Sequence, residues 1–213
     1  MTDVDVDRTD NVDDVAPRSR ALAVWLVVGG AIGLLAAFML TWESILYWKD
    51  PSQGAACDLS PLVNCSQNLS SAYGSLFGFP NPLIGMMAWP VVITTGVLML
   101  AGVTLPKWYW RGLAFGTILA LLLVSGFVSI SIYILHVLCP WCMLTWSVVI
   151  PTFWGVTLFT LKEGILVGPS RSSVAAKLFG WVPTLSFACY LVIVLLAQLQ
   201  LDAIPRILQS WGL

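Results

Sequence analysis

Uncharged, strongly apolar runs divide the chain at residues 21–42, 81–106, 112–161 and 178–201. A helix that crosses a bilayer needs about 20 apolar residues, so each run is long enough to span. The third run has 50 residues; as one helix it would be roughly 75 Å long, against a hydrocarbon core of about 30 Å. It must therefore fold back once. The natural break lies at residues 136–142, where a His, a Pro and two Cys cluster, leaving 112–137 and 140–161 as a tight helical hairpin. The pattern predicts an all-α membrane protein with five transmembrane helices, at about 21–42, 81–106, 112–137, 140–161 and 178–201.

Composition reinforces that reading: 58% hydrophobic residues, 10% charged and a mean hydropathy of +0.87 lie far from a soluble domain of this length. The first run is too long for the h-region of a cleaved signal peptide and ends in Thr41-Trp42-Glu43 rather than a small-residue cleavage site, so it reads as a retained anchor. Residues 1–20 are polar, contain six Asp and show no periodicity, which predicts a disordered tail. Arg8, Arg18, Arg20, Lys107, Arg111, Lys162, Arg171 and Lys177 fall on one side of the predicted topology, and Lys49 and Arg206 on the other. Excess positive charge marks the cytoplasmic side, so the N-terminus is expected in the cytoplasm of a cell membrane and the short tail 202–213 outside. The loop 43–80 and the break at 136–142 then share the outer face, and with them four of the five cysteines: Cys57, Cys65, Cys139 and Cys142.

Those four carry the candidate chemistry. Cys139-Pro140-Trp141-Cys142 is a C-x-x-C dithiol, the smallest unit that can close on itself and release a partner held as a mixed disulfide. Pro140 suits the first turn of a helix, and cysteines there meet free N–H groups and the positive end of the helix dipole, which favour thiolate. The pair Cys57-x7-Cys65 lies in a loop rich in Pro, Gly, Asn and Ser, and reads either as a structural staple or as a second redox pair. Four thiolates could also hold zinc; an oxidising face and the lipid-level position of one pair argue against a metal.

With Cys57-Asp58, Cys65-Ser66, Ser70-Ser71, Tyr73-Gly74, Phe77-Gly78, Asn81 and Cys139-x-x-Cys142 in this order and spacing, the chain resembles the vitamin K epoxide reductase family over roughly residues 18–162. The resemblance implies a four-helix bundle around a quinone, capped by the cysteine loop, with the fifth helix appended as in bacterial members. It implies a membrane thiol oxidoreductase that oxidises a secreted or periplasmic thioredoxin-fold protein and passes the electrons to a quinone of menaquinone or ubiquinone type, driving disulfide formation. With little chain after Leu201, that partner is expected to be a separate protein; the lipid bilayer is the other partner, and no nucleic acid is expected. Carried over residue by residue, Cys57 exchanges with the partner, Cys65 passes electrons to Cys139, and Cys142 faces the quinone.

Asn81 matches the family's hydrogen-bond donor to a quinone carbonyl, although an Asn before Pro82 also suits a helix cap. Trp146 stands where the animal enzyme has a Tyr that contacts the quinone, and Trp146 and Phe77 are candidates to line the pocket. His136, three residues before Cys139, is a candidate for handling protons. Cys189 reads as an apolar filler. Two alternatives accompany this reading: reduction of vitamin K epoxide or quinone serving a quinone cycle, and a structural membrane protein with a stapled loop.

Overall fold

A computed structural model describes residues 19–166, 172–202 and 204–206. The Asp-rich leader, Arg171 and most of the C-terminal tail lie outside the described residues. Five helices are long and apolar enough to cross a membrane: α1 (Arg20–Lys49), α3 (Pro82–Leu100), α4 (Lys107–Ser129, continued by a π turn, Ile130–Leu135), α5 (Pro140–Lys162) and α7 (Val182–Leu201). Two short helices accompany them, α2 (Ser66–Ser70) in the loop after α1 and α6 (Ser172–Phe179) before α7. The protein is thus a helical, multi-pass membrane protein.

Several boundaries differ from the hydropathy pattern. The first helix does not stop at Trp42 but runs to Lys49, because Glu43 is buried and finds a polar partner instead of solvent. The third span begins at Lys107 and winds down through the π turn, closed by His136 in the left-handed region at φ 55°. The last apolar run is broken at Gly180 and Trp181, so its first residues belong to α6 and the span itself starts at Val182.

Helix α1 packs along α3 and α5, and α5 against α4, α6 and α7. The contact of α1 with α3 relies on small residues, as is usual where lipid supplies no hydrophobic driving force. Gly33 faces Trp89 so closely that a Cβ there would overlap the indole ring. The indole N–H of Trp25 donates to Thr152 Oγ1 at 3.1 Å, tying α1 to α5.

Helix α7 is the most exposed of the five spans and touches the bundle through α5 and the π turn. Its hold on α5 has a specific cause. Pro151 lacks the N–H that would bond to the Ser147 carbonyl four residues earlier, and the Tyr190 hydroxyl of α7 donates to that carbonyl at 2.6 Å. In a medium without water a freed carbonyl needs such a substitute.

Candidate redox site

The loop between α1 and α3 is folded onto one end of the bundle by three sets of contacts. Asp58 is the first. Its carboxylate accepts from the backbone N–H groups of Cys65 (2.7 Å), Ser66 (3.0 Å) and Ala55 (3.1 Å), and from the Ser66 hydroxyl. Burial pushes its pKa up, but these hydrogen bonds outweigh it and hold the carboxyl below the usual carboxylate range. One side chain thereby fixes both flanks of the Cys57–Cys65 segment, which is closed by a disulfide.

The second contact comes from α1: Glu43, 4% exposed, accepts the N–H of Ala56 at 3.1 Å, next to Cys57. The third is a short parallel bridge between the loop and the connection from α4 to α5. Leu138 N–H donates to the Leu62 carbonyl at 2.8 Å, and Asn64 N–H to the Leu138 carbonyl at 3.2 Å. That bridge sets the register in which the two cysteine pairs meet.

Cys139 is the cap residue immediately before α5, with Pro140 in the first turn, as the sequence predicts. Its sulfur lies 3.3 Å from Cys65 Sγ, and both residues are 0% exposed. Leu40, Ala55 and Cys57 complete the apolar cluster that seals this contact. Cys57 is more exposed than Cys65 but still buried, at 8%. A hydrogen bond from the Cys142 thiol lowers the Cys139 pKa; burial opposes it, but the N–H groups of Cys142 and Trp141 add to the lowering, so Cys139 sits below an ordinary thiol. A free thiol biased toward thiolate therefore abuts one sulfur of a disulfide, the starting geometry for exchange.

Beneath the loop is a cavity of about 550 Å³ between α3 and α4, with walls from α1 and α5. It is overwhelmingly apolar, and its few polar groups include the amides of Asn68 and Asn81 and the Cys142 thiol. Trp146, buried on α5, forms part of the wall. Size, apolar walls and a few polar groups at the dithiol suit a flat, apolar, carbonyl-bearing molecule such as a quinone.

Asn81 lines this cavity but does not cap α3 through its side chain. Its amide donates to the Tyr73 carbonyl at 2.6 Å and accepts the Leu76 N–H at 3.1 Å, stitching the loop turn together and leaving one N–H free for a ligand. Phe77 is not brought to the cavity: it is 52% exposed, in the turn before α3 starts, stacked on Phe79. His136 is exposed; its backbone ends the π turn, and its ring Nδ1 lies 3.2 Å from the Ile134 carbonyl. Cys189 lies on α7, away from the other sulfurs.

Two side chains that shape the site escape a reading of the sequence: Glu43 and Asn68. Asn68 looks like one more polar loop residue, yet its amide donates to Cys142 Sγ at 3.4 Å. The available signal is spacing, since Cys65-x-x-Asn68 repeats the interval of Cys139-x-x-Cys142.

A helical bundle that seals a disulfide against a second, free dithiol at the mouth of an apolar cavity has the parts of a membrane thiol oxidoreductase, the class that the family match suggests. A model of the vitamin K epoxide reductase family matches residues 24–158, and the chain belongs to that family. No curated protein and no solved structure matches it in the searches made.

Proposed function

We propose that the protein oxidises a thioredoxin-fold dithiol outside the cell membrane and delivers the electrons, through its two cysteine pairs, to a membrane quinone. The contact that carries this reading is Cys65 Sγ at 3.3 Å from Cys139 Sγ, with Cys142 lining the cavity. A loop disulfide serving only as a staple has no need of a free, acidified thiol against it.

In the proposed cycle the partner's thiolate attacks Cys57, and the electron pair of the Cys57–Cys65 bond leaves on Cys65. The partner's second thiol resolves the mixed disulfide and departs oxidised. Cys65 then attacks Cys139 of an oxidised Cys139–Cys142 pair, Cys142 leaves as thiolate, and Cys57 re-forms its bond to Cys65 by displacing Cys139. This leaves the loop pair oxidised and the helix pair reduced, the arrangement described above. A quinone in the cavity would accept two electrons and two protons as Cys139 and Cys142 close again. The free N–H of Asn81 is suited to polarise a carbonyl there, and Trp146 to confine the ring.

Orientation follows from charge. Arg20, Lys107, Arg111, Lys162 and Lys177 lie at the ends of spans opposite the loop, which favours the loop outside and the N-terminus in the cytoplasm. The deciding experiment uses Cys142→Ser. Without Cys142 the Cys139 thiol exchanges with the Cys57–Cys65 bond, and alkylation of the released Cys57 should trap a Cys65–Cys139 disulfide, detected by mass spectrometry. Absence of that bond under oxidising conditions would return the loop disulfide to a structural role.

A further inference from the structure

The contact between Cys65 and Cys139 has a companion one helical turn away. Cys65 immediately precedes α2 and Asn68 lies within it, while Cys139 immediately precedes α5 and Cys142 lies within it. Cys65 meets Cys139 at 3.3 Å and Asn68 meets Cys142 at 3.4 Å, so the first turns of α2 and α5 face each other as two matched rungs. The backbone bridge between Val63 and Leu138 holds the register of both.

We propose that Asn68 is a further catalytic residue, whose side-chain amide stabilises Cys142 as the leaving group when Cys65 attacks Cys139. The inference rests on the relay described above and adds a group that lowers the cost of its central step. In that step the Cys65 thiolate, released when the loop disulfide is opened, attacks Cys139 Sγ. A Cys65–Cys139 bond forms, the Cys139–Cys142 bond breaks, and its electron pair leaves on Cys142 Sγ. One disulfide replaces another, and the negative charge moves from the loop to the wall of an apolar cavity.

Charge is expensive there, where little water can solvate it. A neutral amide donor pointed at the sulfur offsets part of that cost, as preorganised donors do wherever charge develops in a transition state. Because Asn68 rides on the same turn as Cys65, the donor reaches Cys142 only when the nucleophile has reached Cys139. Leaving-group stabilisation and attack are thus delivered by one docking movement, and a thiol from elsewhere that attacked Cys139 with the loop lifted would lack it.

The test uses the full chain carrying Cys57→Ser, in which a single disulfide partitions between Cys139–Cys142 and Cys65–Cys139. Oxidised with diamide, equilibrated at pH values from about 6 to about 10 and alkylated, the two species are counted by mass spectrometry. Adding Asn68→Ala should lower the proportion of Cys65–Cys139 about ten-fold at alkaline pH, the lower end for a hydrogen bond to a charged group. The difference should shrink as pH falls through the thiol range and Cys142 is released protonated. Asn68→Asp should lower it further at alkaline pH, because a carboxylate repels the thiolate. The other titratable groups nearby, Cys65, Cys139, Asp58 and Glu43, are common to all three chains, so the ratios isolate Asn68. Equal partition in the three chains, or an offset that does not change with pH, would overturn the proposal while leaving the relay intact. Failure of the Cys57→Ser parent to form any Cys65–Cys139 bond would instead overturn the relay.

Discussion

The two cysteine pairs are positioned by opposite means. Cys139 and Cys142 owe their places to helix geometry: Pro140 starts α5, and the three-residue interval turns both sulfurs toward the loop and the cavity. Cys57 and Cys65 sit in a segment with little regular structure, held by the Asp58 carboxylate, by Glu43 reaching up from α1, and by the bridge to Leu138. One pair is built into the bundle; the other is clipped onto it by hydrogen bonds. The helix pair should therefore tolerate changes in solution conditions, whereas the loop pair should respond to anything that weakens a few polar contacts.

The largest effect tests that division directly. Removing Cys139 or Cys142 should abolish quinone reduction from every thiol donor. Removing Cys57 or Cys65 should abolish it from a protein dithiol but leave a slower turnover with dithiothreitol, which has to wait for the loop to lift off Cys139. Equal loss with both donors in all four variants, followed by quinone absorbance, would erase the distinction.

At the cavity, Asn81→Ala removes both the free donor and the stitches to Tyr73 and Leu76. Loss of one donor at an oxyanion-type site costs about 10²–10³ in rate, which sets the upper bound for the fall in quinone turnover. An unchanged rate would assign Asn81 to the turn alone.

On the loop, Asp58→Ala strands the backbone N–H groups of Cys65 and Ser66, while Ala55 N–H keeps its bond to Ser66 Oγ at 2.7 Å, and should weaken docking by about 1–3 kcal/mol. Hydrogen exchange at the Cys65 and Ser66 amides should quicken, and Cys139 should become easier to alkylate, with α3 and α4 unchanged. Acid should act in the same direction. The Asp58 pKa is depressed on folding, so its contribution is fully present above the ordinary Asp value of about 3.9 and is lost as pH falls through the lower folded value. Protection of those amides, taken relative to the intrinsic exchange rate at each pH, that did not fall across that window would sever Asp58 from loop docking.

The smallest effect lies outside both pairs. Tyr190→Phe leaves the Ser147 carbonyl without its donor and should destabilise the protein by about 1 kcal/mol, read as a lowered Tm. Restoring the backbone N–H with Pro151→Ala should suppress most of that loss. A full loss in the double variant would mean that Tyr190 acts through packing.

Much of this was legible in the residues. The five spans follow from apolar runs, and the hairpin break follows from a run too long for one helix. The approach of Cys65 to Cys139 was an expectation from family resemblance, and the cysteines do meet. What escaped has a common cause. A hydropathy pattern treats Glu43 as the end of a span, because it prices a carboxylate without knowing that Ala56 N–H will meet it. Asn68 reads as a turn former because its partner lies 74 residues away and is reached only once the loop is docked. Phe77 was expected at the cavity because an aromatic beside a family motif reads as a lining residue, yet the turn at Gly78 leaves it outside, against Phe79. Local pattern identifies elements; which polar group faces which is settled by the fold.

The complete burial of Cys139 also gives the protein an insulated terminal. If the loop faces an extracytoplasmic compartment and the dithiol serves a quinone, as proposed, a bare dithiol would exchange with any small thiol present there. With Cys65, Leu40 and Ala55 packed over it, Cys139 is in contact with one conductor only. In the proposed cycle current would enter through the loop rather than around it, so the seal that slows access would also make the circuit selective.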